Sequence, residues 1–334
     1  MNLEAKYIIR KRCNLDYVLN KPFFSLVDYR NSLFMSDCLD NIIKFYDSFQ
    51  NRDELIEWMK ERPKGVAYIR EVEGNKDVIV VIPTADYNGK YARECRDNIF
   101  KGLHILFVES GEIPDYYFNG AHNVNLGIRK AMEYKPKWIV FSNDDMYKID
   151  DTDVLTSALL KLDNRKYDLV LAALEMGELI EPTTVSIGKK RLTYDIYRIF
   201  KDRPIGKLYN KFNINNFYMK NNIKKSALVF KKIPATSFVG IRSFAIFSTI
   251  YLKNKMGGRP YDEVYINEHE DLDLSFRIFL NRARIFGINY RIGSETGSSL
   301  GMTSARGFRQ VCGRAYFNYK YEKILDYLRQ RRLL

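Results

Sequence analysis

The sequence predicts an α/β protein with a mainly parallel central sheet flanked by helices. Two observations carry this. Continuous apolar runs recur in the first half of the chain: Val78-Ile79-Val80-Val81-Ile82, Leu103-His104-Ile105-Leu106-Phe107-Val108 and Trp138-Ile139-Val140-Phe141. Such runs mark strands buried on both faces, because a strand with one wet face alternates apolar with polar. Between them lie stretches with apolar residues at helical spacing, and strands alternating with helices build parallel βαβ units.

Residues 1–75 read as an N-terminal helical extension. In SDCLDNIIKFYDSF, Leu39, Ile42, Ile43, Tyr46 and Phe49 fall on one helical face. In NRDELIEWMKERPKG, Asn51 suits an N-cap with Glu54 three residues on, and Pro63 and Gly65 close the helix. The main domain spans 76–300. Its first strand covers 77–83, followed by a polar turn and a short helix over 91–100. The second strand, 103–108, runs into Glu109-Ser110-Gly111. VNLGIRKAMEYKP is a helix, WIVF the third strand, DVLTSALLKLDN a helix and 167–174 the fourth strand. Residues 76–175 form one half, 176–300 a more mixed second half, and 301–334 a C-terminal helical tail. There is no internal repeat and no low-complexity tract.

Hydrophobic residues make up 46% of the chain, enough for a sizeable core, which argues against wholesale disorder. No stretch reaches the ~18 uninterrupted apolar residues of a membrane span, and MNLEAKYIIRKRCNLD has no signal-type apolar core. The expected location is the cytoplasm. Cys13, Cys38, Cys95 and Cys312 stand singly, so reduced thiols are expected rather than a zinc cluster or disulfide framework. His104, His122 and His269 are too few for a histidine-built metal site, so a metal here would take oxygen ligands, as Mg²⁺ and Mn²⁺ do. The formal charge of +13 is concentrated: residues 189–232 hold 13 Lys and Arg against two acids, Asp195 and Asp202. Interleaved with Tyr194, Tyr197, Phe200, Tyr209, Phe212, Phe217 and Tyr218, that segment fits three readings. It is a solvated face over core aromatics, a surface for anionic membrane, or a groove for nucleic acid with stacking rings.

In parallel α/β sheets, ligands bind beyond the carboxyl ends of the strands. Pro83-Thr84-Ala85-Asp86, Glu109-Ser110-Gly111 and Asn143-Asp144-Asp145 would share that rim. Adjacent carboxylates at a strand end form either a solvated turn or cap, or a seat for a divalent cation bridging two phosphates. A second acidic cluster follows in EHEDLDLSFR. Glu268 and Glu270 suit the first turn of a helix, where the dipole favours negative charge. Asp271 and Asp273 instead interrupt an apolar stretch, and a buried carboxylate with a raised pKa suits a general base. Arg277, four residues after Asp273, lies on the same helical face.

Taken in order, IPTADYN, FVESG, GAHNVNLGIRKA, WIVFSNDD and GGRPYDEVYINEHEDLDLSFR resemble the family 2 glycosyltransferases of the GT-A fold, over roughly residues 77–280. The resemblance implies that Pro83 and Thr84 lie under the donor nucleotide, Glu109 contacts its base and Asn125 lines the donor site. Asn143-Asp144-Asp145 corresponds to the family's D-x-D, with Asp145 and Asn143 on an Mn²⁺ or Mg²⁺ ion and Asp144 orienting the metal or donor. Asp271 corresponds to the catalytic base, and Glu270 beside it helps place the acceptor. Gly257-Gly258 and Asp262-Glu263 match the loop before that base. The pattern departs from the family at Asn143, which replaces an acid, and in the two extra residues of IPTADYN, which shift the register of Asn88 against the family's Asn. No histidine occurs in the late stretch 291–299, where Glu295 stands as a substitute oxygen ligand.

The implied activity is inverting, metal-assisted hexosyl transfer from a nucleotide-diphosphate sugar, such as a UDP-sugar. The acceptor would be a glycan, a lipid-linked saccharide or a protein, and residues 189–232 would meet the inner membrane face. The alternatives are a nucleotidyltransferase, and a non-catalytic nucleic-acid- or membrane-binding protein on the same fold. His122 reads as a solvated cap and His269 as a hydrogen-bonding neighbour of the acids.

Overall fold

The computed structural model describes residues 25–110, 116–176, 179–182, 185–186, 192–195, 204–214, 216–219, 231–233, 238–266, 268–295 and 304–330. Three helices come first: α1 (Leu26–Phe34), α2 (Leu39–Asp47) and α3 (Arg52–Glu61). Ser25 and Asp28 form a reciprocal capping box on α1. Asn51 caps α3 as its sequence position predicts, accepting from the Glu54 N–H at 3.0 Å. The Glu54 carboxylate does not complete a box. It accepts from the Gln50 N–H (2.8 Å) and from Arg30 (2.5 Å), tying α3 to α1.

The central region follows as β1 (Ala67–Val72), β2 (Asn75–Thr84), α4 (Lys90–Glu94) with a π-turn over Cys95–Ile99, β3 (Leu103–Ser110), α5 (Gly120–Glu133), β4 (Trp138–Ser142), β5 (Met146–Lys148), α6 (Thr152–Leu160), β6 (Leu169–Met176) and β7 (Leu179–Pro182). Then come β8 (Val185–Ser186), β9 (Leu192–Asp195), α7 (Pro204–Lys211), β10 (Asn216–Met219), β11 (Lys231–Ile233), β12 (Phe238–Val239), β13 (Phe244–Ser248), α8 (Thr249–Met256), α9 (Glu270–Leu280), β14 (Ile285–Ser294) and α10 (Ser304–Gln330). Among the described residues no helix is long and apolar enough to cross a membrane.

The main sheet runs β1-β3-β2-β4-β13-β6-β14-β11, with β5 on β14 and β7 on β6. The expectation of a mainly parallel sheet needs correction, because the sheet is mixed. β3-β2-β4 and β6-β14 are parallel, whereas β13 lies antiparallel between β4 and β6, and β1 and β11 are antiparallel edges. FAIFS is as continuously apolar as its parallel neighbours, because a strand deep in a sheet is buried on both faces whichever way it runs. β1 lies within residues 1–75, so that stretch is not purely helical.

Alternation along each strand divides the core by face. Ile79, Val81, Leu106, Val108, Ile139 and Phe141 pack with Val124 and Ile128 of α5, Leu252 of α8 and Leu274 of α9. Val78, Val80, Ile105, Phe107, Trp138 and Val140 pack with Ala92, Cys95 and Ile99 and with Leu155 and Leu159 of α6. A third core joins α1, α2 and α3 to α7, α10 and Phe276 of α9. Gly127 lets α5 sit close on the sheet: a Cβ there would stand 2.4 Å from Val81 Cγ1 and 2.8 Å from Val108 Cγ2.

Candidate functional site

The strand register sets the rim. Thr84 at the end of β2 pairs with Glu109 of β3, and Val81 pairs with Phe141, which brings the residues after β4 alongside Thr84. Thr84 Oγ1 donates to Asp144 Oδ2 at 2.8 Å, and the Tyr87 N–H donates to Glu109 Oε1 at 2.9 Å. Arg70 Nε holds the second Glu109 oxygen at 3.0 Å. Pro83 is half-buried, Thr84, Asp144 and Asp145 are buried, and Asn143 is half-buried. Burial pushes the Asp144 carboxyl up to about 6; the Thr84 bond opposes this and the Asp145 charge adds to it. β5 then pairs with the end of β14, Ser294 opposite Met146, so the Glu295 N–H reaches Asp145 O at 2.9 Å. Gly293 admits the Tyr147 ring there, since a Cβ would lie 2.0 Å from it.

The second cluster opens α9. Leu272 N–H donates to Asp271 Oδ1 at 2.7 Å. Asp271 keeps solvent contact, yet enough protein surrounds its carboxyl for desolvation to push it up to about 6. Glu268 repulsion adds to the shift, while the Leu272 N–H and Arg242 oppose it.

One short segment joins the two clusters. Ser243 O accepts the Asn143 N–H at 2.8 Å, and the Ile241 N–H donates to Ser275 Oγ at 2.8 Å. Ser275 Oγ in turn donates to Asp271 O at 2.6 Å. Arg242, between those anchors, is exposed and lies within electrostatic reach of Asp271. Tyr261 closes the other side. Its ring stacks edge-on to Phe141 at 5.5 Å, and its buried hydroxyl is raised by burial and by Glu270 and Asp271. The chain thus gathers Asn143, Asp144 and Asp145, Arg242, Tyr261 and Glu270-Asp271 around one region.

The loop before α9 is held from two sides. Gly257 and Gly258 take φ of 59° and 70°, which favours glycine, and they let the chain turn out of α8. Asn125 is fully buried; its amide donates to Tyr261 O (2.8 Å) and Glu263 Oε1 (2.9 Å), and its oxygen accepts the Tyr261 N–H (3.1 Å). Asn125 therefore clasps the loop. His122, expected as a solvated cap, instead pairs Nδ1 with Glu263 Oε2 at 2.8 Å, and Asn119 supplies the cap.

From the other side α10 inserts Lys320, which bonds Asp262 Oδ2 and Asp273 Oδ1, each at 2.7 Å. Asp273 is fully buried and also takes Arg277 Nε (2.8 Å), as its helical spacing predicts, and the Tyr321 hydroxyl (2.7 Å). Asp273 is thus an internal ion-pair hub. His269 meets the acids through its backbone, whose O accepts the Asp273 N–H at 3.0 Å. It adopts φ of 72° and accepts from Arg314 Nε at 3.3 Å, with burial and Arg314 lowering it to about 3, so it is neutral.

Arg242, Lys320 and Arg70 lie in no sequence motif, because each acts across a tertiary contact, whereas Tyr261 belongs to GGRPYDEVY but its packing on Phe141 shows only in the fold. About half of the basic segment 189–232 lies outside the described residues. Within it Tyr209 and Phe212 are core aromatics and Lys211 donates to Tyr46 O at 2.9 Å. Cys13 and residues 296–299 also lie outside the described residues. The carboxylate–histidine group among the described residues that could hold a metal is Glu71, Glu73 and His104, away from this rim.

No family model matches the chain, and no curated protein matches it. Among solved structures, A197 from STIV aligns with 12% identity over 64% of this chain and 81% of its own, with a TM-score of 0.33. TarS 1-349 of S. aureus aligns with 12% identity over 73% of this chain and 72% of its own, with a TM-score of 0.38. Both scores lie below 0.5, so these likenesses are coarse and carry no functional argument.

Proposed function

We propose that the chain is a glycosyltransferase that moves a sugar from a nucleotide-diphosphate donor to an acceptor hydroxyl with inversion. The observation that carries this is the Ile241–Ser243 bridge, which ties the end of β4, with its Asn143-Asp144-Asp145 turn, to the first turn of α9, with Asp271. Transfer needs a seat for a diphosphate and a base for the acceptor within one site. The resemblance of IPTADYN through EDLDLSFR to the GT-A pattern supports the same reading.

Asp271, with its raised pKa, takes the acceptor proton. The acceptor oxygen bonds the anomeric carbon on the face opposite the diphosphate, and the carbon–oxygen bond to phosphate breaks with its electron pair leaving on the nucleotide. Arg242 adds positive charge beside the acids, and Glu270 helps place the acceptor. Glu109 and Thr84 frame the nucleotide. By the type of their oxygen donors, Asp145 and Asn143 would hold a hard cation such as Mn²⁺ or Mg²⁺. When bound, that ion supplies charge neutralisation of the diphosphate. We also infer a cytoplasmic enzyme whose residues 189–232 touch anionic lipid, an inference that rests on their charge alone.

A thermal-shift screen of nucleotide sugars with and without Mn²⁺ tests the donor site. A donor that binds the native state must raise the melting temperature. A Tm raised by at least one nucleotide sugar, and more so with Mn²⁺, is expected; a panel without any shift contradicts the donor site.

A further inference from the structure

We propose a second metal site, for a divalent cation of the zinc class, at Glu71, Glu73 and His104. It lies at the far end of the sheet from the rim. His104 is the second residue of β3 and Glu109 the seventh, about 16 Å apart along a strand at ~3.3 Å per residue. The site is therefore independent of the transfer reaction.

His104 is fully buried, and neither ring nitrogen has a hydrogen-bond partner. A buried polar group without a partner is costly, so the surroundings matter. Two carboxylates lie near the ring: Nε2 is 3.4 Å from Glu71 Oε2, and Nδ1 is 3.6 Å from Glu73 Oε2. One ligand atom from each of the three residues falls within 4.8 Å of the others. Around a tetrahedral ion with bonds of ~2.0–2.1 Å, neighbouring ligand atoms stand roughly 3.3 Å apart. Nε2 and Glu71 Oε2 already hold that spacing, and Glu73 is exposed and able to rotate inward.

The surroundings are those of a supported ligand set. The Tyr134 hydroxyl donates to Glu71 Oε2 at 2.5 Å, and its ring meets the imidazole edge-on at 4.9 Å. A hydrogen bond of that kind orients a ligating carboxylate. Lys76 lies 3.0 Å from Glu73 and Lys130 lies 3.9 Å from Glu71. These cations neutralise the carboxylates in the metal-free protein. Lys130 keeps Glu133 at 2.8 Å, while Lys76 must release Glu73. One imidazole with two carboxylates suits Zn²⁺ or Co²⁺ and is not a magnesium or calcium set. An ion there would staple the β1–β2 turn to β3.

The test is calorimetric titration of chelator-treated protein with Zn²⁺ at neutral pH, with Co²⁺ absorption as a second readout. Three proteins are compared: wild type, the Glu71→Gln/Glu73→Gln double variant and Asp145→Asn. Both glutamates are exposed, so the double variant is expected to fold. The proposal expects one Zn²⁺ per chain, tetrahedral Co²⁺ bands, and an affinity loss of roughly 100-fold or more in the double variant. Asp145→Asn keeps the Zn²⁺ affinity. No stoichiometric Zn²⁺ binding, or binding that survives the double variant, overturns the site. Either result leaves the donor-binding screen unaffected.

Discussion

Asp144 carries a carboxyl that burial lifts to about 6, against an ordinary value near 3.8. Between those two values the folded state binds more protons than the unfolded one, so stability falls as pH rises through the window. The penalty is absent below about pH 4 and complete above about pH 6. Asp144→Asn should therefore stabilise the metal-free protein at pH 8 by about 2–3 kcal/mol and leave it unchanged at pH 4, read by urea denaturation. The same variant should lose the response to a donor with Mn²⁺. Asp271 makes the complementary case. A base with a pKa near 6 is mostly ionised at neutral pH, so transfer should fall about tenfold per unit below pH 6. A rate independent of pH from 5 to 8 would remove Asp271 from that role. Lys320 tests the structural side. Lys320→Met leaves Asp262 and Asp273 without their shared ammonium and should cost about 3–5 kcal/mol, because it breaks a buried pair from one side.

At the scale of elements, α5 shows what a sequence can and cannot display. Its helical spacing and Gly127 were visible, and the helix packs where a βαβ unit requires. Gly127→Ala should cost roughly 1–3 kcal/mol through overpacking against Val81 and Val108, a loss that a melting curve would show. Asn125 and His122 were visible as residues but not in their roles. Their partners, Tyr261 and Glu263, lie more than a hundred positions away and meet them only in the fold. The strands were legible for a different reason. An uninterrupted apolar run states that both faces are buried, yet it is silent about direction, so the antiparallel course of β13 could not be read. Asp273 stands out in the sequence because a carboxylate breaks an apolar pattern. Its use as an ion-pair hub followed only from α10, which delivers Lys320 and Tyr321 from the far end of the chain.

Across the whole molecule the N-terminal helices and α10 share one core with α9, so the segments that flank the sheet also brace the helix that carries Asp271. The two acidic clusters lie far apart in sequence and were linked in advance only by the GT-A resemblance. The physical link is the short segment at Ile241–Ser243, whose residues carry no motif. The claim that both clusters serve one reaction is tested most directly by product analysis with a nucleotide-sugar donor, an acceptor and Mn²⁺, comparing wild type with Asp271→Asn. The account predicts nucleoside diphosphate and a glycosylated acceptor from wild type, and loss of transfer in Asp271→Asn while the donor still raises its melting temperature. Release of pyrophosphate, or undiminished transfer by Asp271→Asn, would contradict it.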